Sequence, residues 1–175
     1  MLTEEGGIWR RLIVLGVVVV LLACLGLAPS LAPASTGHEA GLSAIFGGIV
    51  IAIVALKMRR DKSHLHWFLF AASLIVLGVL IQQDAGVASD PKATCFFLAL
   101  AGLSYFQYRL GSVQTNSAVA SWIRAGGLTN LLIAASAIVD RVNFQFLSAD
   151  TILSATVLIT GISIAGGGIV LRPSD

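Results

Sequence analysis

The run LIVLGVVVVLLACLGL, Leu12–Leu27, goes sixteen residues without a charged side chain. A helix on the surface of a soluble protein keeps a polar face, whereas one apolar all round is buried in a large core or in a membrane. About 20 residues are needed to cross the hydrocarbon layer, and the Trp9 flank extends this run toward that length. The pattern returns at Leu42–Leu56, Phe68–Ile81, Ala93–Phe106, Ala118–Val139 and Ile152–Leu171. Gln107, Tyr108 and Arg109 close the fourth run early, so tilt or local thinning must accommodate it. The reading is an all-α polytopic membrane protein with six transmembrane helices, residues 1–175 forming a single integral membrane domain.

Composition excludes the soluble alternative. Of 175 residues 57% are apolar and 11% charged, with a mean hydropathy of +0.91, where soluble domains carry roughly 25% charged residues. A cleaved leader competes for the first run, with Arg10 and Arg11 as its basic region and Ala28-Pro29 at its end. The run is long for a leader core and further spans follow closely, so a retained helix is the expectation. No lipidation or retention signal is read. Cys24 and Cys95 are too few for a disulfide framework and are expected to be buried free thiols, though both fall near one membrane face.

Basic residues assign the sides. Arg10, Arg11, Lys57, Arg59, Arg60, Lys62, Arg109, Arg124 and Arg172 fall on one side of a six-span topology, against only Lys92 and Arg141 on the other. Both termini are therefore expected in the cytoplasm. Lys57, Arg59, Arg60 and Lys62 are placed to face anionic headgroups; the cluster is too short to indicate nucleic acid. The opposite loops hold Glu39, Asp84, Asp90, Asp140 and Asp150, with His38 beside Glu39. Wet loops explain them most simply. A pH-responsive outer surface is the sharper reading, since histidine titrates near neutrality.

Trp9, Trp67 and Trp122 each open an outward-going span, at spacings of 58 and 55 residues. At the headgroup level their rings would sit as interfacial anchors. Gly48, Gly102 and Gly161 follow them by 39, 35 and 39 residues on the returning spans. The chain thus reads as three parallel helical hairpins, approximately 9–60, 67–110 and 118–172, without the inverted halves common in alternating-access transporters. Ser43 with Gly47, Gly161 with Ala165, and Ser163 with Gly167 are spaced for close helix contact. Gly126-Gly127 and Ala134-Ala135-Ser136 give the fifth span a narrow side, and a homo-oligomer seam is the alternative use of such faces. Gly166-Gly167-Gly168 is expected to loosen or kink the last helix.

Intramembrane ionisable groups would be the natural functional lead, and no Asp, Glu, Lys or His falls near mid-span. Arg124 lies near the start of the fifth span, where it is expected to snorkel to the interface. Asn130 is deeper, beside Thr129, and must face another helix, because an amide in hydrocarbon needs a partner. Gln82, Gln83 and Gln107 are read as interface markers. No HExxH, GxSxG, P-loop or dinucleotide glycine motif occurs. His64 and His66 lack a third ligand for a metal. No catalytic, cofactor or metal site is assigned.

Four stretches resemble the HdeD-like acid-resistance membrane proteins of bacteria. They are WRRLIVLGVVVVLLACLGLAP (Trp9–Pro29), AIFGGIVIAIVALKMRR (Ala44–Arg60), HWFLFAASLIVLGVL (His66–Leu80) and SWIRAGGLTNLLIAASAIV (Ser121–Val139). The likeness lies in Trp-started outward spans followed by returning spans rich in small residues. It implies a short six-span inner-membrane protein of repeated helical pairs, connected with survival at low pH, and supplies no catalytic residue. A non-enzymatic role in acid or envelope stress, with a membrane-protein partner or a second copy, is the leading expectation. A small transporter or proton- or ion-permeable channel, using Arg124, Thr129 and Asn130, is the alternative.

Overall fold

A computed structural model describes residues 2–27, 38–57, 64–83, 90–143 and 148–171. All regular secondary structure there is helical: α1 (Leu2–Leu27), α2 (His38–Lys57), α3 (His64–Gln83), α4 (Asp90–Ser112), α5 (Ser117–Asn143) and α6 (Ala149–Val170). Local chemistry sets two of the starts. Asn116 opens α5, its Oδ1 accepting from the backbone N–H groups of Ala118 at 3.0 Å and Val119 at 3.2 Å. Ser148 does the same for α6 through the N–H of Thr151. Both satisfy donors that a helix start leaves without an intrahelical acceptor.

The exterior is apolar. On α1, Val14, Val17, Leu21 and Leu25 are exposed, and on α2 the stripe is Leu42, Phe46, Ile49, Ile53 and Leu56. Steps of three and four place each set on one helix face. Water would not tolerate such a belt; lipid does. Five of the helices are long and apolar enough to cross a membrane, covering Trp9–Leu27, Glu39–Leu56, His64–Gln83, Ser117–Val139 and Thr151–Val170. The chain is a multi-pass helical membrane bundle.

α4 is not among those five, whereas the sequence reading counted it as a span. Its 23 residues suffice in length, but Ser104, Tyr105, Gln107, Tyr108 and Arg109 dilute its apolar character. Ser104 and Gln107 are nonetheless buried, so part of that polarity faces protein.

Helices adjacent in the chain touch one another, α1 closes on α6, and α6 also reaches across the bundle to α2. The most extensive contacts are α1–α6, α2–α3 and α4–α5; α1–α2, α3–α4 and α5–α6 touch less. The expected units 1–2, 3–4 and 5–6 are thus the looser neighbours, because glycine lets backbones meet at the other seams. A Cβ on Gly161 would lie 2.8 Å from Val20 N and 2.9 Å from Gly16 O, and one on Gly127 would lie 2.6 Å from Tyr108 N. Gly102, aligned by spacing with Gly48 and Gly161, meets nothing within 4 Å.

The paired faces expected on α6 are present: Gly161 addresses α1, while Ser163 and Gly167 address α4 and α5. The expected loosening at Gly166-Gly167-Gly168 does not break the helix, which runs on to Val170. Instead Gly166 lies under the Trp122 ring and Gly168 against Ile13, so the glycines serve packing. The three tryptophans also differ. Trp67 is buried in the core beside Phe70 and Leu74, Trp122 is exposed, and Trp9 is half-buried with the Arg10 guanidinium 5.1 Å from its ring centre. Trp67 is a core residue here rather than an interfacial ring, because α3 turns that face toward the bundle.

Candidate functional site

Four side chains from three helices meet inside the bundle. Asn130, at the midpoint of α5, is fully buried, and Gln107 on α4 is 1% exposed. Asn130 Nδ2 donates to Gln107 Oε1 at 2.7 Å and to Thr160 Oγ1 of α6 at 3.1 Å. Thr160 Oγ1 donates in turn to Gln107 Oε1 at 3.3 Å. Gln107 Nε2 donates to Ser163 Oγ at 2.9 Å, and Ser163 Oγ donates to the Thr160 carbonyl at 2.8 Å. Each hydroxyl both accepts and donates, and both polar atoms of the Gln107 amide are taken up by the cluster.

Glycine makes this meeting possible. A Cβ on Gly126 would lie 2.6 Å from Gln107 Nε2 and 2.5 Å from Ser163 Oγ. Ser104 on α4 lies one turn from Gln107 and closes on its own helix, donating to Leu100 O at 2.9 Å. Amides deprived of water are costly unless bonded, and membrane interiors raise the need for internal partners. One polar atom of the cluster departs from full satisfaction: Asn130 Oδ1 is buried with no hydrogen-bond partner.

The requirement that Asn130 face another helix is met. Arg124 does not join it. Arg124 is exposed, its stem packs beside Gly111 of α4, and six residues of helix turn it well away from the Asn130 face. Thr129 is exposed and bonds its own helix at Ala125 O, 2.9 Å. The three residues of the transport alternative therefore do not line one cavity.

Gln107 was read as an interface marker; it is instead central to the cluster, because the facing polar groups of α5 and α6 offer it partners. Thr160 and Ser163 were not singled out as polar partners. The available signal was a buried polar row at Thr156, Thr160 and Ser163, spaced four and three along α6, opposite Ser104 and Gln107 spaced three along α4.

A smaller polar group lies between α1, α2 and α6. Ser43 Oγ donates to Ala40 O at 2.8 Å. Ser154 Oγ is buried without a partner, and both hydroxyls stand over Gly26, where a Cβ would reach within 3.1 Å of each. Glu39, half-buried in the first turn of α2, has one carboxylate oxygen buried without a partner.

The other outer residues come into view less fully. His38, Asp90, Asp140 and Asp150 fall in helices α2, α4, α5 and α6, but their side chains, like that of Lys57, lie outside the described residues, as do Asp84, Arg59, Arg60 and Lys62. Cys24 and Cys95 are free and exposed, not buried as expected, because both project to the apolar exterior. Among the described residues no three His, Cys, Asp or Glu side chains gather as a metal site. No protein-family model, curated protein or solved structure matches the chain.

Proposed function

We propose that this chain is a non-enzymatic protein of a bacterial inner membrane, closed to solutes, with a role in surviving acid or envelope stress. The observation that carries the closed, non-catalytic part is the Gln107–Asn130–Thr160–Ser163 cluster. Its polar groups bind one another across α4, α5 and α6, and it contains no ionisable side chain to relay a proton or to activate the Thr160 or Ser163 hydroxyl. The link to acid rests on the likeness to HdeD-like proteins and on His38 and the carboxylates opposite the basic side, of which Glu39, Asp90, Asp140 and Asp150 belong, like His38, to helix ends rather than loops.

In this reading the chain crosses six times, with both termini cytoplasmic, as the nine-to-two basic split favours. The three hairpin units rest on the spacing of Trp9, Trp67 and Trp122 alone, since the closest helix contacts fall between those units rather than within them. The basic connection from Lys57 to Lys62 faces anionic headgroups, and a membrane-protein partner or a second copy receives the response at the outer surface.

Survival after acid shock tests this in a deletion strain. The reading expects reduced survival, restored by the parent gene. Unchanged survival across several acid regimes, with the protein confirmed present in the parent, contradicts it. One observation favours transport as a second reading: Asn130 Oδ1, an acceptor at mid-bundle depth with no partner.

A further inference from the structure

A groove runs between α1 and α2 at the end of the bundle where α1 enters its apolar stretch. It is lined by Arg10, Arg11, Val14, Val18, Val50 and Val54 over a floor of Leu15, with a volume of about 340 Å³. The arrangement is divided along its length. Both guanidiniums stand at one end, both exposed, and everything beyond them is aliphatic. From Arg11 to Val18 the groove follows α1 for about 10 Å. It exists because α1 makes its closest contacts with α6 and α2 its own with α3, and the glycine contact that does close the α1–α2 seam, Gly26 against Ser43, lies toward the other end of α1.

Two cations with no acidic residue among the described lining residues, above a slot of valines, match a molecule with an anionic head and a hydrocarbon tail. Guanidinium presents paired N–H donors to phosphate oxygens, and the Trp9 ring 5.1 Å from Arg10 braces one of them by cation–π attraction. We propose that this groove is a binding site for one anionic phospholipid, its phosphate held by Arg10 and Arg11 and an acyl chain lying along Val14, Val18, Val50 and Val54. The site belongs to the leaflet that holds the start of α1. The lipid fills the open end of the α1–α2 seam and so acts as part of their packing.

Native mass spectrometry of the purified full-length protein in detergent tests the proposal, with dioleoyl phosphatidylglycerol, dioleoyl phosphatidylcholine and inorganic phosphate as separate probes. One saturable phosphatidylglycerol adduct is expected, retained at activation energies that strip phosphatidylcholine, and undisturbed by inorganic phosphate. The double variant R10Q/R11Q should weaken it at least about tenfold, while R10K/R11K retains part of the binding. V18F/V50F, which fills the slot and leaves the arginines, should abolish the adduct with the thermal midpoint recorded alongside. Should that variant misfold, the arginine pair at exposed positions still decides. Equal retention of the two lipids, parental binding by R10Q/R11Q, or displacement of the lipid by inorganic phosphate would each overturn the site.

Discussion

Asn130 on α5 and Gln107 on α4 are joined at 2.7 Å, Nδ2 to Oε1, with both side chains out of reach of solvent. Twenty-three residues separate them in the chain, and the bond ties two helices that also share Thr160 of α6 as a partner. The two amides should therefore behave as one energetic unit. Asn130→Ala and Gln107→Ala are expected to be non-additive by about 1 kcal/mol in a double-mutant cycle, the size of interhelical hydrogen bonds measured in membranes. Reversible unfolding in mixed micelles reads this directly; additivity within about 0.3 kcal/mol would dissolve the cluster as a unit.

Glycines should divide sharply by neighbour. Gly161→Ala pushes a methyl into Val20 N and Gly16 O and is expected to destabilise by about 1–3 kcal/mol, the usual range for overpacking. Gly102→Ala meets nothing within 4 Å and should be neutral or stabilise by about 0.5–1 kcal/mol through helix propensity. The same unfolding assay compares them. A Gly161→Ala variant as stable as Gly102→Ala would contradict the close α1–α6 seam.

Much of the bundle is legible in the sequence because lipid makes hydrophobicity a direct signal. Apolar runs such as Leu12–Leu27 announce themselves without any knowledge of their neighbours. Asn130 could be read as interhelical for the same reason, since the cost of a lone amide in hydrocarbon applies wherever its partner comes from. The partner itself could not be read. Gln107 looks like the frayed end of a weak span until the α4–α5 register brings Ser104 and Tyr108 against Gly127. Likewise Trp67 and Trp122 look equivalent by spacing, yet rotation of α3 buries one ring. Local pattern specifies how apolar a helix is; in a membrane it carries little about which face turns inward, because the exposed faces are apolar too.

Cys24 and Cys95 provide a test of the exterior. Both are free and exposed on the apolar surface, so Cys24→Ala and Cys95→Ala should each shift stability by no more than about 0.5 kcal/mol. Protein purified without reductant should react fully with maleimide after denaturation. Loss of that reactivity would indicate a bond between the two.

Placement of α4 calls for a side-specific measurement. In a Cys24→Ala/Cys95→Ala background, Gln114→Cys in the α4–α5 turn and Ser89→Cys before α4 should be labelled by an impermeant maleimide from opposite faces. Labelling from the same face would remove α4 as a crossing and overturn the nine-to-two charge assignment.

The closed character of the Gln107–Asn130–Thr160–Ser163 cluster is the centre of the account, and flux through proteoliposomes tests it most directly. Purified protein reconstituted at known orientation should pass protons, inorganic ions and small acids no faster than empty liposomes, at neutral and acidic pH. A saturable flux that disappears in Asn130→Leu, with the variant still folded, would contradict it and make the unpartnered Asn130 Oδ1 part of a conduction path.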